Sequence, residues 1–327
     1  MPGGKCPFPV FSACKVSEIL RKLNYSTTMY TTLLTLALAL AQTSTATPTP
    51  TLLDRATQAR AAAIWTPTAG TTWQMQLYGS VTKLDFPVEV YDIDVLDNLN
   101  TGVIAKLHAA NKKVVCYFSA GSYENWRTDT KEFGLTGKDD VNIGKPMIGW
   151  DGEWWFQTSS TKVRDLMRSR IKKAAAAGCD AIDPDNIDGY DSDDEEPNKT
   201  GFNLSLASAT EYVKFLAAEA HALGMGMGLK NGLDLIPNVL NDVQFQVQEQ
   251  CAQFPAKDDS LGSECLYSQP FIKANKPVFH VEYPTGETLS NTIPAAEKKK
   301  DCQDPNAKGF SSIMKGLDLM EKIAFCT

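Results

Sequence analysis

Residues 178–196 read GCDAIDPDNIDGYDSDDEE, and the character of the chain changes inside this stretch. Cys179–Ile182 is a short, half-apolar lead that reads as a buried strand. Carboxylates follow at once: eight acidic side chains stand between Asp183 and Glu196. In a parallel α/β architecture, polar groups at the C-terminal ends of otherwise apolar strands converge on one functional face. The stretch therefore asks whether the rest of the chain supplies more strands of the same kind.

It does. Seven further runs read as strands: TWQMQLYG (72–79), VEVYDID (88–94), KVVCYFSAG (113–121), MGMGLKNG (225–232), FQVQEQC (245–251), PVFHVEYP (277–284) and GFSSIMKG (309–316). With DAIDPDN (180–186) they number eight. Between several of them lie amphipathic stretches with helical spacing, Val95–Asn111, Thr161–Ala177 and Ser205–Leu223, the last with a capping signal of Ser208 three residues before Glu211. Eight strands alternating with helices predict an α/β fold, a (β/α)8 TIM barrel, occupying residues 51–327 as one domain. An open doubly wound sheet would carry a glycine-rich phosphate turn after its first strand. GMGMG (224–228) has the wrong spacing, comes late, and reads as a tightly packed barrel strand.

The first fifty residues have a different character. An apolar run from Leu33 to Ala41 follows Lys15, Arg21 and Lys22 and precedes small residues, the pattern of a secretory signal whose natural start is Met29. TATPTPTLL then reads as an extended linker. An uncleaved anchor is the alternative reading of the same run. Secretion makes the six cysteines from Cys116 onward disulfide candidates, with Cys251–Cys265 and Cys302–Cys326 as local pairs. Asn198 and Asn203 open glycosylation sequons. The chain carries a net charge of −7 and no basic stripe, which excludes nucleic acid as a partner. With three histidines and no CxxC or HExxH, no metal or other cofactor is expected. DPDNIDG has Ile187 at a position a calcium loop needs for a ligand; the looser DSDDEE is a second calcium candidate. YFSAG lacks the first glycine of a nucleophile elbow.

At the strand ends stand Asp92 and Asp94; Tyr117 and Ser119; Asp183, Asp185, Asn186 and Asp188; Lys230 and Asn231; Gln248 and Glu249; and Glu282 with Tyr283. Trp73, Tyr78, Trp126, Trp150, Trp154 and Trp155 are available to wall a groove, where sugar rings stack and ammonium groups gain from aromatic faces. Carboxylates on two different strand ends suit glycoside hydrolysis, one donating a proton and the other attacking the anomeric carbon or activating water. Asp185 and Glu249 are the expected pair, with burial expected to raise Glu249. Asp94, Tyr117, Ser119, Asp183, Asn186, Asp188, Lys230, Asn231 and Glu282 are the expected substrate contacts. A strand-end carboxylate also commonly caps the following helix, and Lys230 suits an ion pair with one of these acids.

CYFSAGSYENWR, GCDAIDPDNIDGY, GLKN, EQC with a later cysteine, and VFHVEYP, in that order, resemble glycoside hydrolase family 114, secreted endo-α-1,4-polygalactosaminidases, from about Trp73 to Ile323. The resemblance implies the (β/α)8 barrel and maps the family's catalytic acids onto Asp185, as nucleophile, and Glu249, as acid/base; Asp183 shares the first motif. It implies an enzyme acting on a cationic galactosamine polysaccharide, which acidic residues beside a cleft would concentrate; a monomer is expected. DSDDEEPNKT reads as an insertion in the following loop. An N-acetylated polymer as substrate, and a barrel that binds such a polymer without cutting it, are the alternatives.

Overall fold

The computed structural model describes residues 64–190 and 198–326. The signal segment, the Thr/Pro linker and the acidic run 191–196, with its calcium reading, lie outside these residues. Among the described residues no helix is long and apolar enough to cross a membrane.

In chain order the elements are β1 (Trp73–Gln76), β2 (Val90–Asp94), α1 (Val95–Asn98), α2 (Val103–Ala109), β3 (Lys113–Ser119), β4 (Ser122–Glu124), β5 (Ile143–Pro146), β6 (Glu153–Phe156), α3 (Thr161–Ala177) and β7 (Ala181–Asp185). They continue with α4 (Leu206–Ala222), β8 (Gly226–Lys230), α5 (Ile236–Val239), β9 (Phe245–Glu249), α6 (Gln269–Lys273), β10 (Val278–Glu282), α7 (Ala295–Cys302), β11 (Ser311–Met314) and β12 (Ala324–Phe325). The main sheet runs β1-β2-β3-β7-β8-β9-β10-β11-β12. Every pairing is parallel except the antiparallel β11–β12. The eight parallel strands are the eight expected from the sequence, and they form a (β/α)8 barrel. At the closing seam Trp73 Nε1 donates to the Ser311 carbonyl and Ser311 Oγ to the Thr71 carbonyl, each at 2.7 Å.

Two hydrophobic layers result from the two-residue period of the strands. Inward residues, among them Trp73, Met75, Val115, Phe245, Val247, Phe279 and Val281, fill the barrel. Outward residues such as Ile93, Cys116, Phe118, Ile182 and Leu229 pack under the helices. The GMGMG run takes its meaning here. A Cβ at Gly228 would stand 2.3 Å from the Phe245 ring, so the glycine makes room for that ring inside the barrel.

Three details differ from the sequence reading. The segment 95–111 is two short helices, because Gly102 adopts a left-handed conformation at the N-cap of α2. The cap of α4 is Ser205, in a reciprocal pair with Ser208; Glu211 pairs with Arg164 instead. Between β3 and α3 the chain inserts a small antiparallel sheet, ordered β4-β6-β5, which the sequence reading did not register.

Cys251–Cys265 and Cys302–Cys326 are disulfides as expected, and Cys116–Cys179 is a third. The third closes a span of 63 residues from β3 to the start of β7, a loop for which the chain-entropy model gives about 4 kcal/mol. Arg170 of α3, fully buried, reinforces the same region. Its Nε and Nη2 each donate to Asp129 at 3.0 Å, and its Nη1 donates to the Ser119 carbonyl at 2.6 Å.

Candidate active site

Three neighbouring strands, β7, β8 and β9, end on Asp185, Lys230 and Glu249. The next residue in each case, Asn186, Asn231 or Gln250, has a positive φ of 58°, 49° or 56°. Each strand thus breaks into a left-handed corner immediately after its charged residue, a conformation that costs free energy and concentrates at functional sites. The corners are held across the sheet: Asn231 N donates to the Val247 carbonyl at 2.8 Å and Gln250 N to the Val281 carbonyl at 2.9 Å. At the first corner Ala120 N and Gly121 N both donate to the Asp185 carbonyl. A Cβ at Gly121 would fall 1.6 Å from the Asn186 carbonyl oxygen, so only glycine allows this approach.

The three side chains meet. Lys230 Nζ lies 2.9 Å from Asp185 Oδ1 and 2.7 Å from Glu249 Oε2. Tyr117 OH donates to Asp185 Oδ2 at 2.8 Å, and Asn186 N donates to Asp185 Oδ1 at 2.7 Å. Glu249 accepts from Tyr283 OH and, at 3.1 Å, from Asn231 Nδ2. The sequence reading expects burial to raise Glu249; burial does push it up, but the net shift is the opposite. Lys230, Tyr283 and Asn231 outweigh burial, so Glu249 is held below the usual carboxylate range. Burial alone would depress Lys230, but Asp185, Glu249 and Asp183 lift it well above the ordinary lysine value.

Asp185 and Glu249 line a groove of two lobes. The larger, about 770 Å³, runs from Asp185, Tyr117 and Lys230 along the inserted sheet, past Trp150, Glu153 and Trp155. The smaller, about 540 Å³, runs past Tyr190, Phe254 and Tyr267. Asp188, Asn231, Glu249 and Gln250 line both. The groove therefore extends to either side of the carboxylates.

The other expected contacts divide. Tyr117, Asn186, Asp188, Lys230 and Asn231 line the groove. Asp183 does not: it is fully buried below Asp185 and meets Asp92, and the oxygens of the two carboxyls find no donor from other groups. Burial pushes Asp92 well up and Asp183 up to about 7, so the pair holds a proton between them. Asp94 is also buried away from the groove, where it caps α1 by accepting from Asp97 N at 2.8 Å and pairs with Arg127. Ser119, 1% exposed, receives Asn186 Nδ2 at 2.9 Å and positions that corner without reaching the groove. Glu282 faces the outer wall, because Val281 and Tyr283 on either side of it face inward. It binds His280 Nε2 at 2.6 Å and accepts from Ala252 N at 2.8 Å.

Glu153 and Tyr283 were not among the expected contacts. Glu153 lines the groove and accepts from Ser122 Oγ at 2.6 Å; burial pushes it up to about 7. The signal for it was the alternation of EWWF (153–156), which turns Glu153 and Trp155 toward the groove while Trp154 packs on Tyr123.

Residues 54–327 match the profile of glycoside-hydrolase family GH114. The structure of Aspergillus fumigatus Ega3 in complex with galactosamine is similar at a TM-score of 0.71 and 39% identity, covering 81% of this chain and 98% of that one. The glycoside hydrolase domain of PelA from Pseudomonas aeruginosa is similar at a TM-score of 0.55 and 9% identity, over 78% of this chain and 98% of that one. At that identity the second likeness speaks to the fold alone. No curated protein sequence matches. A family profile spanning the barrel, and a 39% identical relative covered almost end to end, establish that this chain belongs to glycoside hydrolase family 114.

Proposed function

We propose that the protein is a secreted, endo-acting hydrolase of α-1,4-linked galactosamine polymer, with Asp185 as nucleophile and Glu249 as acid/base. The observation that carries the catalytic assignment is the single ammonium of Lys230 bonded to both carboxylates, at 2.9 and 2.7 Å, on the floor of a two-lobed groove. Two oxygens within hydrogen-bond reach of one nitrogen are too close for the roughly 6.5–9.5 Å spacing of inverting enzymes, which supports retention. Asp185, oriented by Tyr117 and Lys230, attacks the anomeric carbon as Glu249 gives its proton to the departing oxygen. Glu249 then takes a proton from water, which displaces Asp185 and releases the sugar. Burial is already the largest single influence on Glu249. A sugar seated over it removes the remaining water and shifts the balance upward, toward the protonated form the first step needs.

The groove carries Glu153, Asp185, Asp188 and Glu249, a wall suited to a cationic chain. The galactosamine bound in the Ega3 structure supports the same substrate class. A groove that extends to both sides of the carboxylates suits internal cleavage. Three disulfides suit an oxidising compartment. The test is product release from purified deacetylated polymer by wild type, Asp185→Asn and Glu249→Gln. Short oligomers from wild type, and none from two folded variants, are expected. Cleavage confined to N-acetylated polymer would replace the substrate, and binding without shortening would replace the reaction.

A further inference from the structure

Trp155 stands on the groove side of β6, and its ring lies hard against the loop after β7. A Cβ added at Gly189 would come within 2.9 Å of the ring, so no larger residue fits there. Lys199 Nζ lies over the ring, 5.5 Å from its centroid. The same charge acts on Asp188, where it opposes the burial that pushes that carboxyl up. Trp155, Asp188 and Lys199 line one lobe with Asp185 and Glu249, and Asp188 lines the other lobe as well. A chain laid through both lobes must pass Asp188.

An ammonium held on an aromatic face beside a carboxylate is a general solution to amine recognition. Here the protein's own lysine fills that solution inside the substrate groove. We propose that Trp155 and Asp188 form an ammonium subsite, that Lys199 occupies it in the substrate-free protein, and that the ammonium of a bound galactosamine takes its place. This rests on the reading of the substrate as a deacetylated polymer. Lys199 is then an internal competitor, and substrate binds to the fraction of molecules from which it has withdrawn.

Steady-state kinetics on defined galactosamine oligomers tests this, with wild type, Lys199→Met, Asp188→Asn and Trp155→Leu. Removing the competitor lowers KM, by about two- to five-fold for a contact of ordinary cation–π strength. Asp188→Asn, nearly isosteric, raises KM about ten-fold and weakens its salt dependence. Trp155→Leu raises KM in the same direction. A lysine that merely packs the groove wall, or that binds substrate, would give the opposite sign or no change, and either result for Lys199→Met overturns the subsite. So does an unchanged KM in Asp188→Asn. If wild type releases nothing from the deacetylated oligomers, the substrate reading falls and the subsite with it. If wild type is active and Lys199→Met is unmoved, only the subsite falls.

Discussion

Adjacent residues of one strand end serve two different polar networks. Tyr283 turns inward and bonds Glu249 at the mouth; Glu282, one residue earlier, turns outward to His280. Both networks join carboxylates to hydrogen-bond donors on strand ends. They differ in what can reach them. Asp185 and Glu249 keep side-chain exposures of 15% and 21%, whereas His280 and Glu282 have none. At the mouth a cation alternates with two anions, and a sugar can arrive. In the outer wall one oxygen of the acid, Oε1, takes both a ring nitrogen and a backbone N–H of the Cys251–Cys265 loop and ties that loop to the barrel; its buried Oε2 has no hydrogen-bond partner among the described residues. Residue type alone does not separate a group at the groove from a fastening in the wall; the face of the strand does.

The largest effect expected from this contrast is at Lys230. Lys230→Met removes the charge that holds Glu249 down. The rate should fall about 100-fold. With Glu249 as the proposed acid, the alkaline limb of the kcat/KM profile should move to higher pH, because Glu249 then gains its proton more readily. An unmoved limb would detach Lys230 from Glu249. Next comes the pair itself. Tyr283→Phe should lower kcat about ten-fold with stability kept. Glu282→Gln should keep kcat and cost about 1–3 kcal/mol in denaturant unfolding. Exchanged outcomes would break the comparison.

A smaller effect belongs to Asp301 of α7, which is buried beside Glu282 with both oxygens unpartnered and is pushed up to about 7, first by burial and then by the charges of Glu282 and Glu297. Its folded value lies above the unfolded one. The stability it supports is therefore complete below pH about 4 and is lost as pH rises toward 7. Thermal unfolding of wild type should show this slope, and Asp301→Asn should flatten it. The smallest is Ser205→Ala, expected to lower stability by about 1 kcal/mol through the lost cap of α4 and to leave the mouth untouched.

The barrel was legible because each parallel strand is a short apolar run bounded by turn residues, and all eight such runs became strands. Local disulfides were legible from spacing; Cys116–Cys179 was not, since its partners meet only when β3 and β7 pair. The inserted sheet escaped because strands of three or four residues carry too little pattern to separate from loop. Glu282 was misplaced for a related reason. Val278, Phe279 and Val281 make β10 apolar on both faces, so no alternation marked which face its acid would take. Asp94 followed the commoner fate of a strand-end carboxylate, the cap of the next helix. Asp185, Lys230 and Glu249 were each legible as strand-end charges. Their meeting on one nitrogen depends on three strands stopping at the same level, which no single stretch of sequence states.

The left-handed corners at Asn186, Asn231 and Gln250 carry a consequence for how such an enzyme can change. Because the chain leaves each strand by an abrupt bend, the charged residue before it is anchored by the sheet at the point where the loop begins. Loops lengthened, shortened or exchanged beyond these corners are expected to leave the spacing of Asp185, Lys230 and Glu249 unchanged. The corners mark where the shape of the groove can vary while the charged strand ends stay in place.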